Sequence, residues 1–199
     1  KSFFNKFLVV TAAMLMLILA IANLRLPSGA EKVNRNGIDV MIAIDVSKSM
    51  LAQDIKPNRL ERSKQLLSRL IDKLGNNRIG IVIFAGKAYL QMPLTGDQAA
   101  AKMYLSSAST GSVPTQGTVI GDALKMCFAS FNAKEKKYKA VVLISDGEDH
   151  DEGAEDIAKQ MAAEGVVINT IGIGSPGGAP IMDESTGQMK TDAEGNTVI

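Results

Sequence analysis

Three short apolar runs limit what this chain can fold into: residues 40–44 (VMIAI), 78–84 (RIGIVIF) and 140–144 (AVVLI). Each is brief, rich in Ile and Val, and bounded by polar or turn residues, so each is predicted as a buried strand. Residues 166–173 (VVINTIGI) read as a further strand, and residues 88–92 as a short edge strand stopped by Pro93. Helical patterns lie between them. Leu60, Leu66, Leu67, Leu70, Ile71 and Leu74 recur at helical spacing over residues 59–74, a segment introduced by Pro57-Asn58 and closed by Gly75. Residues 97–105, 119–131 and 154–164 read as helices too. Strands that alternate with helices predict a doubly wound α/β fold, with a mainly parallel central sheet, helices on both faces and right-handed crossovers. No internal repeat is present.

A different pattern precedes this domain. Residues 7–24 (FLVVTAAMLMLILAIANL) carry no charge, and only Thr11 and Asn23 are polar. As a helix they would span roughly 27 Å, close to the hydrocarbon thickness of a bilayer. The expected organisation is a transmembrane helix with a short flank in residues 1–25, a linker in 26–36 that opens at Pro27-Ser28-Gly29, and a domain in 37–199. Two other readings compete: a cleaved secretory signal, given Lys1 and Lys6 before the run and Ser28-Gly29-Ala30 after it, and a buried core helix. A chain starting at Lys1 rather than Met is expected to have residues upstream. Lys1 and Lys6 on one side, against Arg25, Lys32 and Arg35 on the other, leave the membrane orientation open. Residues 175–199 are rich in Gly, Pro and Asp and are expected to form loops with a small hairpin. With no helix to cover the last strand, the domain is expected to continue past Ile199.

Charge and cysteine remove several functions. Lys and Arg total 22 against 21 acidic residues, and no basic tract marks a nucleic-acid binder. Cys127 is the sole cysteine, which rules out an internal disulfide and a multi-cysteine zinc site. Its setting, Ala123-Leu124-Met126-Cys127-Phe128, predicts burial in a helix. Most of the ten methionines fall at apolar periodic positions and read as core filling, with Met14 and Met16 in the membrane helix. The glycines of 172–177 are followed by no helix pattern, so they do not read as a nucleotide-binding loop. His150 lies in a charged loop with no nucleophile at fixed spacing, and reads as solvated surface.

The chemistry concentrates where the first strand ends. Side chains alternate along an extended segment, so Asp45, Ser47 and Ser49 are predicted to point to one side just past the strand's carboxyl end. Ligands bind at that edge in open α/β sheets. One carboxylate with two hydroxyls suits Mg²⁺, Ca²⁺ or Mn²⁺. The plainer alternative is that Asp45 and Ser47 cap the next helix. Asp146 follows the third buried strand as Asp45 follows the first, and Thr118 closes the uncharged polar stretch 106–118 just before a helix. Five oxygen-bearing residues from three loops could therefore surround one point. Lys48 and Gln53-Asp54 sit beside it, either as partner contacts or as exposed loop.

This arrangement resembles the metal-ion-dependent adhesion site of von Willebrand factor A domains: Asp-x-Ser-x-Ser, a distant Thr, then a distant Asp. The matching residues are Asp45, Ser47, Ser49, Thr118 and Asp146. Beyond the motif, IDVMIAIDVSKSMLAQDIKPNRLERSKQLLSRLIDKL, RIGIVIFAGKAYLQMPLT, VPTQGTVIGDAL and VVLISDGEDH look like the aerotolerance (Bat) family of bacterial membrane-anchored proteins, over Gly37 to Gly178. The resemblance implies that the apolar helix is the second of two before the domain, with another after it. It implies an inner-membrane protein whose domain faces the periplasm, with a MoxR-type AAA+ ATPase and sister Bat proteins as associates, in stress or oxygen tolerance. It also implies that Ser47 and Ser49 bind Mg²⁺ directly, and that Asp45, Thr118 and Asp146 bind it directly or through water. An Asp or Glu of a partner protein would fill the remaining position. Alanine at Asp45 or Asp146 is expected to spare the fold, since both lie at the sheet edge. A Mg²⁺-dependent phosphohydrolase with Asp45 as nucleophile is the enzymatic alternative, although Ser47 stands where such enzymes carry a second Asp. A scaffolding domain with a degenerate metal site is the other alternative.

Overall fold

The computed structural model describes residues 2–21, 37–132, 138–147 and 153–175. The linker, the loop with His150 and the segment 176–199 lie outside them. Contacts divide the chain into two units, Lys1–Asn34 and Arg35–Ile199.

In the first unit, α1 (Ser2–Ile21) is a single helix. Its stretch Ser2–Ala20 is long and apolar enough to cross a membrane, and none of it is buried. Helix begins at Ser2, five residues before the uncharged run, and so takes in Lys6. Thr11 Oγ1 donates to the carbonyls of Phe7 and Leu8 at 3.1 and 3.0 Å, which satisfies the one hydroxyl of the apolar stretch within the helix itself.

The second unit is a five-stranded sheet in the order β3-β2-β1-β4-β5. Its strands are β1 (Asp39–Asp45), β2 (Arg78–Phe84), β3 (Ala88–Thr95), β4 (Lys139–Ser145) and β5 (Val166–Gly172). All pairings are parallel except β2 with β3. The helices are α2 (Arg59–Leu74), α3 (Gln98–Ser107), α4 (Ile120–Ser130) and α5 (Ala154–Ala163). Alternation along β1 sorts the two cores. Val40, Ile42 and Ile44 pack with Leu60, Leu67 and Ile71 of α2 and with Ala101 and Leu105 of α3. Met41 and Ala43 pack with Ala123, Leu124 and Cys127 of α4 and with Met161 of α5. Helices thus cover both faces, which is why β1 carries no polar alternation. As predicted, Cys127 is buried in a helix, and burial pushes its thiol up to about 12.

Local signals explain most boundaries. Asn58 caps α2 by accepting from the Glu61 amide at 2.7 Å, and Asp97 caps α3 by accepting from Ala100 at 3.0 Å. Two expectations need correction. Pro93 does not stop β3, which runs on to Thr95. As an edge strand whose register shifts between Thr95 and Met92, it tolerates a residue with no N–H to give. Leu66, counted in the apolar stripe of α2, is 40% exposed, whereas Leu67 is fully buried.

The topology also selects one edge. From β1 the chain crosses through α2 to β2 on one side, and β4 pairs with the other side of β1. The carboxyl ends of β1 and β4 therefore flank the switch point of the sheet, where such folds open a crevice.

Burial sets a contrast between two neighbouring leucines. Leu67→Ala is expected to cost about 2–5 kcal/mol in urea unfolding, and Leu66→Ala under about 1 kcal/mol. Equal losses would contradict the packing described here.

Candidate metal centre

Asp45 is the last residue of β1 and is fully buried. Its Oδ1 accepts from the Ser47 amide at 2.8 Å, and its Oδ2 accepts from Ser145 Oγ at 2.8 Å. One carboxylate thereby fixes both the turn leaving β1 and the end of β4. Burial pushes the Asp45 carboxyl up to about 6; the hydrogen bonds from Ser47 and Ser145 oppose that rise, and the charge of Asp146 adds to it. The carboxylate is thus more deeply seated than its place at the sheet edge suggested. Alanine at Asp45 would strand two donors, and leaving buried donors unsatisfied costs about 1–3 kcal/mol each.

After Val46, whose amide donates to Phe84 O at 2.8 Å, Ser47 leads into a 3₁₀ turn, Lys48–Leu51. The Ser47 hydroxyl makes no capping bond there. Instead, Ser47 Oγ and Ser49 Oγ lie 2.9 Å apart, both on buried residues. The capping alternative therefore fails for the Ser47 side chain, and Asp45 supports the Ser47 amide ahead of the turn without capping it. Lys48 between them is exposed.

Thr118 arrives from the other side of β1 and is buried. Its loop is tied to the end of β2, where Gly86 N donates to Thr115 O at 2.9 Å and Val119 N donates to Ala85 O at 3.0 Å. That approach requires glycine, because a Cβ on Gly86 would meet Gln116 O at 2.4 Å. Gly117, with φ of +120°, turns the chain into Thr118. Since Asp45 pairs with Phe84, the loop stands at the same sheet edge as Asp45.

Asp146 follows β4 directly, and its side chain is 1% exposed. Its Oδ2 accepts from Arg59 Nη1 at 3.1 Å. Arg59 also donates from Nε and Nη2 to Asp54 Oδ1 and Oδ2, at 2.9 and 3.0 Å. Of the two alternatives for Asp54, partner contact or exposed loop, the second fails, since its side chain is 5% exposed and held by Arg59. The Arg59 hydrogen bonds hold its carboxyl down at about 2. Neither Arg59 nor Ser145 was singled out from the sequence. The one available signal was sign: an arginine opening a helix opposes the macrodipole, and so implies nearby acids.

The five predicted residues therefore sit on three loops at one edge of the sheet. Contacts join Ser47 to Ser49 and to Asp45, and Asp45 lies close enough to Asp146 to feel its charge. Among the described residues, no three His, Cys, Asp or Glu side chains gather to hold a metal, so a cation here would need hydroxyls among its ligands.

Comparison with known proteins agrees with this fold. The von Willebrand factor type A domain family matches residues 40–148. The crystal structure of a conserved hypothetical protein, BatB of Bacteroides thetaiotaomicron, is 45% identical, with a TM-score of 0.78 over 81% of this chain and 79% of that one. An aerotolerance-related membrane protein from Bacteroides fragilis NCTC 9343 is 44% identical, with a TM-score of 0.77 over 81% and 80% of the two chains. A UPF0353 protein of Mycolicibacterium paratuberculosis is 32% identical over 93% of this chain, which spans 62% of that relative's length. The chain belongs to the von Willebrand factor type A domain family and, within it, to the aerotolerance-related Bat proteins.

Proposed function

We propose that this chain is a membrane-anchored protein-binding module whose domain captures an Asp or Glu carboxylate of a partner protein through a divalent cation. Asp45, Ser47, Ser49, Thr118 and Asp146 would hold the ion, with Mg²⁺ the first choice and Mn²⁺ or Ca²⁺ as substitutes. The observation that carries this reading is the paired hydroxyls of Ser47 and Ser49 beside two buried carboxylates. The donor set fits a hard cation, because every candidate ligand atom is oxygen and no imidazole or thiolate is among them. When bound, such an ion would supply a Lewis-acidic centre, and with the hydroxyls neutral and the carboxylates acting in part through water, a coordination position would stay open to one more anionic oxygen.

The chain's own groups prepare the site. Ser145 and the Ser47 amide orient Asp45, Arg59 holds one oxygen of Asp146, and Gly86 lets the Thr118 loop come close. Helix α1 serves as the anchor, supported by its length and apolar character and by the description of the Bacteroides fragilis relative as a membrane protein. Family likeness extends the proposal to the bacterial inner membrane, with the domain in the periplasm. It also names sister Bat proteins and a MoxR-type AAA+ ATPase as associates, in stress or oxygen tolerance.

Two measurements test the reading. Calorimetric titration of Mg²⁺ into the full chain in detergent is expected to give a dissociation constant of roughly 10⁻⁴ M or weaker. Ser47→Ala should weaken it by about tenfold or more, and a wild-type chain that gives no metal-dependent heat would refute the cation. Separately, pull-down from detergent-solubilised membranes should capture a partner that is lost on adding chelator. Asp45→Asn and Asp146→Ala are expected to lose that capture with an unchanged circular dichroism spectrum, and capture indifferent to chelator would reject the bridging carboxylate.

A further inference from the structure

Arg59 is buried at the first position of α2, a helix end where a positive charge is disfavoured. It is gripped from three sides. Asp54 takes its Nε and Nη2 in a two-point fork, Nη1 reaches Asp146 Oδ2, and the backbone of Gly174 covers the guanidinium so closely that a Cβ there would lie 3.3 Å from Cζ. Asp54 is anchored in turn, since its Oδ2 also accepts from the Ser175 amide at 2.6 Å. A planar cation held this way has little freedom. The one candidate metal ligand it touches is Asp146, whose chain position is 87 residues away.

We propose that Arg59 is a positioning residue of the metal centre: clamped by Asp54, it fixes the orientation of the Asp146 carboxylate before a cation binds. This rests on the metal-bridging reading above and adds to it a residue and a role. A ligand whose orientation is set by a rigid neighbour does not have to be ordered when the metal arrives, and loss of such an outer partner typically weakens metal binding 10–100-fold. Charge alone would not serve. A lysine could pair with Asp54 or with Asp146, but its ammonium cannot hold the fork and the third contact together.

The chain contains its own control. At the opposite end of β1, Arg78 makes a forked pair with Asp39, at 2.7 and 2.5 Å, far along the strand from Asp45. Arg78→Gln breaks a comparable pair without touching a site residue.

Mg²⁺ titration by calorimetry into the full chain in detergent, alongside urea unfolding of each variant, tests the assignment. Arg59→Gln is expected to bind Mg²⁺ 10–100-fold more weakly than wild type. Asp54→Asn, which touches no proposed ligand, should weaken it by about tenfold, and Arg59→Lys should remain at least about fivefold below wild type while recovering stability. Arg78→Gln should lose stability yet keep its Mg²⁺ affinity within about twofold. Wild-type affinity in Arg59→Gln and Asp54→Asn, full rescue by Arg59→Lys, or an equal loss in Arg78→Gln would each overturn the positioning role while leaving the metal site standing. Absence of Mg²⁺ heat in wild type itself would instead bring down the underlying reading, and this role with it.

Discussion

Everything in the domain depends on a strand that has no exposed residue. All seven residues of β1 are buried, and the strand is hydrogen-bonded to a neighbour on each side. Such a strand cannot end in an unpartnered carboxylate, because burying a charge without partners is prohibitively costly. Asp45 therefore takes the Ser47 amide on one oxygen and the Ser145 hydroxyl on the other. Those two bonds fix the path of the chain beyond β1 and the end of β4 at a stroke. The proposed site is a consequence of how the central strand is closed off, and is not a loop feature added to a finished fold.

The two ends of β1 solve related problems with the same chemistry and reach different results. At the amino end, Asp39 pairs with Arg78 directly opposite it on β2, and the pair ties two adjacent strands in register. At the carboxyl end, Arg59 bridges two acids from different loops. Buried ion pairs add little net stability once desolvation is counted, so their contribution is better sought in orientation. The first pair orients strands. The second orients a carboxylate at the end of β4, beside the switch point of the sheet.

How much of this was legible in the sequence follows from the range of each interaction. The Ile- and Val-rich runs encode β1, β2 and β4 because burial on both faces needs only apolar residues, and the caps of α2 and α3 are encoded within three residues. Asp45, Ser47 and Ser49 are likewise legible as a local pattern. Thr118 and Asp146 could be attached to it only through the predicted sheet, Asp146 because it ends a strand as Asp45 does and Thr118 because it precedes a helix, and the family resemblance then joined the three parts into one motif. Arg59 escaped because its contact with Asp146 spans 87 residues, and its charge at a helix start announces acids nearby without saying which. Pro93 misled for the opposite reason: a reliable local rule about strand interiors gave way to the position of β3 at the edge. Leu66 shows the limit of periodicity, which marks an apolar stripe but not how far the neighbouring layer reaches across it.

The same geometry also weighs between capture and catalysis. An aspartate that attacks a phosphate ester needs an accessible oxygen with a lone pair free to approach in line. Both oxygens of Asp45 accept hydrogen bonds and the residue is fully buried, which makes it a poor nucleophile by position. Ser47 stands two residues on, where a general acid would have to be, and its hydroxyl is engaged with Ser49. A group buried and braced in this way can still gain from a cation, because a nearby positive charge relieves both the desolvation of Asp45 and its repulsion from Asp146 without requiring either to move. The balance of forces at the end of β1 is thus the physical ground for proposing an ion there in preference to a displacement.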